Sequence, residues 1–313
     1  MKTVVLGKSG LEVSRIAFGT WQLGGDWGGY DEDRAVAAIR QAWDLGVTLF
    51  DTAQGYGMGR SEALLGRALD GPLRRERDRV VVATKGGIDP GGDRFRRGEP
   101  AFIRAGVDDS LRFLGVDRID LYQIHWPDPA VPFEETAAEV AALVAEGKIG
   151  HVGVSNFDVA QMEAFSAVCP VETLQPPYNL LRRSVEDDIL PYCRKQDIGV
   201  LAYSPLASGL LTGSVGPDTT YPADDWRSTA AAFTGDARRR NLAVVDGLKA
   251  VAADLGISLS QLAVAWVLAQ PGVHVAIVGS GRPETIVDSA GAADVVLEPA
   301  TLDRIEALLP PAG

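Results

Sequence analysis

The run Thr48-Leu49-Phe50-Asp51, the turn Gly55-Tyr56-Gly57-Met58-Gly59 and the stretch Ser61–Leu69 follow one another directly. A short β-branched and aromatic run, a glycine-rich turn and an apolar period of about 3.6 residues read as one strand–loop–helix unit. Outward in both directions the same unit recurs. Strands are expected at Arg15–Phe18, Thr48–Asp51, Val80–Thr84, Ile119–Ile124, His151–Ser155, Thr173–Gln175, Val200–Tyr203 and Val275–Val278. Helical periods lie between or after them at Asp33–Leu45, Ser61–Leu69, Ala101–Leu114, Phe133–Glu146, Val159–Val168, Glu186–Lys195, Ser258–Ala269 and Glu284–Gly291. Eight β-then-α units over about 280 residues predict a (β/α)8 TIM barrel, with a doubly wound open sheet as the alternative. Residues 1–313 are expected to form one barrel domain. The opening segments Thr3–Leu6 and Leu11–Val13, around Lys8-Ser9-Gly10, read as a β-hairpin plugging the barrel floor. Two connections exceed the usual few residues, Gly86–Gly98 and Leu211–Gly235, and are expected as long binding loops at the C-terminal face.

Composition narrows the function. The chain has 46% hydrophobic and 23% charged residues, enough for a core and a polar surface. No run reaches the roughly 18 unbroken apolar residues of a membrane span, and Lys2, Lys8, Glu12 and Arg15 interrupt any signal-peptide core, so a cytoplasmic protein is expected. Cys169 and Cys193 cannot build a disulfide framework, and three scattered histidines show no H-x-x-x-H pairing, so no metal is expected. The 30 Lys and Arg against 42 Asp and Glu leave a net charge of −12, which disfavours nucleic acid as a partner. The basic run Leu73–Arg79 alternates with Glu76 and Asp78 and reads as a solvated link between helix and strand.

The active face of such a barrel lies at the C-terminal strand ends. Those ends carry Asp51, Lys85, His125, Ser155-Asn156, Gln175 and Tyr203-Ser204, whereas His151 and His274 begin strands and belong to the opposite face. A phenol has a reference pKa of about 10, too high for ready proton exchange near neutrality. Lys85 beside Tyr56 would favour the phenolate, Asp51 would hold Lys85 in place, and His125 would hydrogen-bond a substrate oxygen. Nothing in this acid–base set supplies electrons, so a hydride-donating cofactor is implied. Its anionic part suits two turns, Ser204-Pro205-Leu206-Ala207-Ser208-Gly209 and Gly279-Ser280-Gly281-Arg282-Pro283, the second opening a helix. Trp21, Trp27 and Trp126 fall on loops at the same mouth and suggest a flat, partly apolar substrate face.

The segment Phe50-Asp51-Thr52-Ala53 with Tyr56-Gly57 and Ser61-Glu62 resembles the D-T-A-x-x-Y-G-x-G-x-S-E signature of the aldo-keto reductase superfamily, in its bacterial monomeric type. Val82-Ala83-Thr84-Lys85, Asp120 to Pro127, Gly153 to Phe157 and Tyr203-Ser204-Pro205-Leu206 continue the pattern over nearly the whole chain. The resemblance implies Tyr56 as proton donor, Lys85 and Asp51 as its tuning pair and His125 as the substrate-orienting group. It implies that Ser155, Asn156 and Gln175 hold the nicotinamide carboxamide and that Tyr203 stacks on the ring. Ser204, Pro205, Leu206, Gly209 and Leu210 then line the pyrophosphate, and Thr20 and Trp21 border the nicotinamide. Many bacterial relatives read G-A-R/K-x-x-x-Q-x-x-E-N after strand eight. Here the segment carries Gly279, Ser280, Gly281, Arg282, Thr285, Asp288 and Ser289, with Gly281 in place of the usual basic residue. Arg282 remains to meet a 2′-phosphate, so NADP is expected modestly ahead of NAD. The expected function is NAD(P)H-dependent reduction of an aldehyde or ketone by a monomer with a small-molecule substrate and no membrane partner. Two alternatives are an NAD-linked sugar or polyol dehydrogenase and an accessory subunit like the potassium-channel β subunits, the latter disfavoured by His125 beside Asp51, Tyr56 and Lys85.

Overall fold

The computed structural model describes residues 1–25 and 30–309. Strands β1 (Thr3–Val5) and β2 (Glu12–Ser14) form an antiparallel hairpin, with Thr3 opposite Ser14. Eight further strands close into a parallel barrel: β3 (Ile16–Gly19), β4 (Leu49–Asp51), β5 (Val81–Gly86), β6 (Ile119–Ile124), β7 (Ile149–Ser155), β8 (Thr173–Gln175), β9 (Gly199–Ala202) and β10 (Val275–Gly279). Closure is made by β10 pairing with both β3 and β9. The open-sheet alternative is thereby excluded.

The two-residue side-chain period of a strand explains where the chemistry sits. Leu49, Val81, Ala83, Leu121, Leu201 and Val275 fill the lower barrel, and Leu6 and Val13 of the hairpin pack into the same apolar cluster and seal the floor. Two residues further along each strand the same inward parity yields Asp51 after Leu49, Lys85 after Ala83, Gln123 and His125 after Leu121, Gln175 after Thr173, and Tyr203 after Leu201. The other parity, including Phe18, Phe50, Val82 and Tyr122, packs outward against the helices in the main core. The helix Leu259–Ala269 is buried on nearly all sides, and its start is fixed by reciprocal bonds between Ser258 and Gln261.

Several boundaries differ from the sequence expectation. The third barrel strand runs two residues further, so Lys85 lies inside β5 and not beyond its end. The Leu73–Arg79 link is itself helical, as Asp70–Arg75 and the turn Arg77–Arg79, and Arg77 is not a solvated charge: it bonds buried Asp120 at 2.9 Å and the Val80 carbonyl at 2.8 Å. The helix expected from Glu186 starts at Ile189, because Asp188 caps it while Glu186 binds Tyr178 and Arg183. The long connection after β9 contains three short 3-10 turns and ends in a twenty-residue helix, Gly235–Asp254, that the strand count passed over. Its buried stripe, Val245, Leu248, Val251 and Ala252, is diluted by Arg238, Arg239 and Arg240. A closing helix, Pro299–Glu306, buries Ile305. Among the described residues no single helix is long and apolar enough to cross a membrane.

Candidate active site

Lys85 is fully buried, and its ammonium is fixed by two acceptors, Asp51 Oδ1 at 2.6 Å and the Thr52 carbonyl at 2.8 Å. A buried cation is tolerable only when paired and hydrogen-bonded in this way. The same Nζ lies 3.5 Å from the Tyr56 hydroxyl and 5.1 Å from its ring centre. The second Asp51 oxygen accepts from Gln175 Nε2 at 2.8 Å and from Gln123 Nε2 at 3.4 Å. The Asp51 backbone is held as firmly: Thr20 donates its N–H and hydroxyl to the Asp51 carbonyl, and the Ser61 hydroxyl bonds Thr20 Oγ1 and meets Thr52 Oγ1. Tyr56 sits on a turn that touches the Trp21–Gly24 turn. An added Cβ at Gly57, whose φ is +61°, would run into the Gly24 carbonyl, so the close approach of the two backbones requires glycine there.

His125 follows β6 and packs nearly perpendicular to the Tyr56 ring, with centroids 5.6 Å apart and planes at 80°. Its Nδ1 is buried with no hydrogen-bond partner among the described residues. Burial, reinforced by the Lys85 charge, lowers its pKa well below 6.5. The ring is therefore neutral at physiological pH, a hydrogen-bond donor and not a charge. Unfolding lets His125 bind a proton that the native state refuses, so its contribution is complete above pH 6.5 and declines as the pH falls below that value. His274, also lowered by burial, acts in the same direction. Replacing His125 by Gln should remove up to about 1.4 kcal/mol per pH unit from the fall in stability below pH 6.5. Urea midpoints at pH 7.5, 6.5 and 5.5 measure this, and an unchanged slope would place the proton uptake elsewhere.

The residues assigned to the nicotinamide converge on one wall. Tyr203 OH donates to Asn156 Oδ1 at 2.9 Å, Asn156 Nδ2 donates to the His125 carbonyl and to Ser155 Oγ, and Ser155 Oγ donates to the Gln175 carbonyl. Burial pushes the Tyr203 phenol up to about 12, which keeps it a neutral donor. The segment after β9 is left-handed at Ser204, Ala207 and Ser208 as well as Gly209. Non-glycine residues there carry strain of about 1–3 kcal/mol each, the kind of backbone that forms an anion-binding nest. Pro205 and Leu210 are buried, and Leu206 is half-buried. These features fit a dinucleotide. After β10, Ser280 Oγ bonds both the N–H and the carbonyl of Arg282 and meets Thr285 Oγ1, which fixes the start of the helix Pro283–Gly291 and leaves the Arg282 side chain exposed. Gly279 packs against Gln22, Gly281 is open, and Ser289 is buried. Asp288 bonds Ser258 at 2.9 Å and so ties two helices together.

Trp21 stacks on Trp226 with centroids 6.3 Å apart, and Trp226 stands edge-on to Phe233. Trp126 carries the Arg96 guanidinium over its ring at 5.2 Å. Trp27 lies outside the described residues. Sequence reasoning missed Gln123, Trp226 and Arg96. Gln123 was legible from its parity with Leu121 and His125, whereas Trp226 and Arg96 come from long loops whose return path no local pattern reveals.

A parallel barrel whose mouth joins a buried Asp–Lys pair, a tyrosine, a neutral histidine and a strained anion nest defines a dinucleotide-dependent oxidoreductase. The Aldo/keto reductase family matches residues 15–310, and the chain belongs to that family. It is 43% identical over 286 residues to aldo-keto reductase YhdN of Bacillus subtilis, covering 90% of this chain and 86% of that one. It is 33% identical over 318 residues to the NADH-specific methylglyoxal reductase of Escherichia coli, covering 96% of each. Its fold superposes on the glycerol dehydrogenase AKR11B4 of Gluconobacter oxydans with a TM-score of 0.89 at 41% identity, covering 98% of this chain and 94% of the other. Family membership makes the protein an NAD(P)-dependent oxidoreductase working between carbonyl and alcohol.

Proposed function

We propose that the protein reduces the carbonyl group of a small aldehyde or ketone, with Tyr56 giving the proton to the carbonyl oxygen. The observation that carries this reading is the fully buried Lys85 ammonium, clamped by Asp51 and Thr52 and 3.5 Å from the Tyr56 hydroxyl. A cation held there favours negative charge on the phenol oxygen as the proton leaves. Neutral His125 donates to the same carbonyl oxygen and orients it. Asn156, Ser155, Gln175 and Tyr203 hold the nicotinamide end, and the turn Ser204–Leu210 holds the pyrophosphate. Bound NAD(P)H supplies the hydride. Turnover of NADPH and NADH against panels of aldehydes, ketones and alcohols tests the reading: reduction of carbonyls with either cofactor supports it, and activity on neither panel would falsify it. The glycerol dehydrogenase relative keeps alcohols in the panel, but the reductases among the relatives favour the reducing direction.

For the cofactor we propose NADP modestly ahead of NAD, resting on Arg282. Its backbone is clamped by Ser280 and its side chain is exposed at a helix start, and the neighbouring acid Glu284 is neutralised by Arg34 at 3.0 Å. One charge-assisted contact of about 1.5–3 kcal/mol gives roughly ten- to a hundredfold discrimination, and solvent exposure favours the lower end. Arg282→Ala should erase most of that preference while NADH affinity hardly changes. Dissociation constants from tryptophan quenching decide it. Equal weakening of both cofactors would mean that Arg282 supports the loop, and a wild-type preference for NADH would overturn the NADP assignment.

A further inference from the structure

The connection from β5 to the helix Pro100–Leu114 doubles back on itself. Asp89 N–H bonds the Phe95 carbonyl, Arg97 N–H bonds the Gly87 carbonyl, and Ile88 bridges Arg96. The first arm lies on the catalytic turn, since the Ile88 side chain fills the space where a Cβ on Gly55 would stand, one residue before Tyr56. The second arm carries three arginines, and their partners differ. Arg94 pairs with Glu99 and with Asp128 at 3.5 Å, and Arg97 pairs with Glu99 at 3.1 Å and Asp89 at 3.4 Å. Arg96 is half-buried and, among the described residues, has no carboxylate partner. Its guanidinium lies 5.2 Å over the ring of Trp126, the residue next to His125.

An arginine stacked on an aromatic face keeps its planar fork of donors at the edge, free to bind a carboxylate with two parallel bonds. Four carboxylates stand in the same loop region: Asp89, Glu99 and Asp128 are taken by the neighbouring arginines, and exposed Asp93 forms no ion pair with Arg96. We infer that Arg96 is a specificity-determining residue that receives a carboxylate carried by the substrate at the end remote from its carbonyl. The preferred substrates are then aldehydes or ketones bearing a carboxylate, and Trp126 supplies an arginine-capped wall in place of a bare aromatic face. The inference rests on the carbonyl-reducing reading above. A protein of net charge −12 repels anions at long range, so any preference for an anionic substrate has to come from a local contact of this kind.

The test compares 4-carboxybenzaldehyde with its neutral methyl ester. The ratio of their kcat/KM values, acid over ester, is measured for the wild type, Arg96→Met and Arg96→Lys. Dividing the ratios cancels the intrinsic reactivity of the two aldehydes and any general loss of folded enzyme. Arg96→Met should lower the ratio about tenfold, and Arg96→Lys should recover part of the loss as a point charge without the fork. A ratio that Arg96→Met does not lower by as much as twofold overturns the inference while leaving carbonyl reduction intact. Failure of the wild type to reduce either aldehyde or any other carbonyl overturns both readings together.

Discussion

Replacing Tyr56 by Phe is expected to lower kcat by about 10²- to 10⁴-fold while leaving cofactor dissociation constants within about twofold of wild type. Phenylalanine keeps the ring that packs nearly perpendicular to His125 and lies 5.1 Å from Lys85 Nζ, so the packing of the mouth survives. Only the hydroxyl 3.5 Å from that ammonium is lost. His125 cannot replace it as acid, because burial holds its pKa well below 6.5 and leaves no labile proton of suitable acidity near neutrality. Single-turnover reduction and equilibrium quenching with NADPH and NADH separate the two effects. A variant retaining more than a tenth of wild-type kcat would remove Tyr56 from the role of proton donor. A variant losing cofactor affinity in step with kcat would instead show that the hydroxyl organises the mouth.

The parts of this site that were legible in the sequence are those that a strand dictates locally. Two-residue alternation carries Leu49 to Asp51 and Ala83 to Lys85, so a polar ring above an apolar floor follows from residue order alone. Gln123 obeys the same parity between Leu121 and His125, yet its bond to Asp51 appears only when barrel closure brings the inward side chains of the alternate strands β4, β6 and β8 together. Loop partners are a different matter. Trp226 reaches Trp21 because Phe233, Leu210 and Val215 form a small separate cluster that anchors the long connection, and Arg227 is locked on Asp225. Nothing in the spacing of Trp21 and Trp226 announces that contact. The helix Gly235–Asp254 escaped for a related reason: its apolar stripe is real but three successive arginines dilute it, and tertiary packing decides in its favour. Asp288, which the resemblance implies as a cofactor residue, accepts a hydrogen bond from Ser258, a link between two helices that no local pattern announces.

Replacing Lys85 by Met is expected to match the tyrosine variant in lost turnover and to exceed it in lost stability. The methionine fills the volume but leaves the Asp51 carboxylate buried with only Gln175 and Gln123 as donors. Breaking a buried pair by removing one partner costs about 3–5 kcal/mol, and the two remaining amide donors place this case toward the lower figure. Adding Asp51→Leu to Lys85→Met removes the orphaned charge, so the double variant should recover part of the lost stability and none of the lost activity. That divergence separates a structural pair from a catalytic one, because a purely structural Lys85 would let activity return with stability. The proton chemistry provides the sharper measurement. In the oxidative direction the Tyr56 phenolate has to accept the alcohol proton, and without the neighbouring cation that deprotonated form is reached only at higher pH. The acid limb of the pH–rate profile should therefore move to more alkaline pH in Lys85→Met. An unmoved profile with a lowered rate would mean that Lys85 holds Asp51 and Thr52 in place while some other group acts on the Tyr56 hydroxyl.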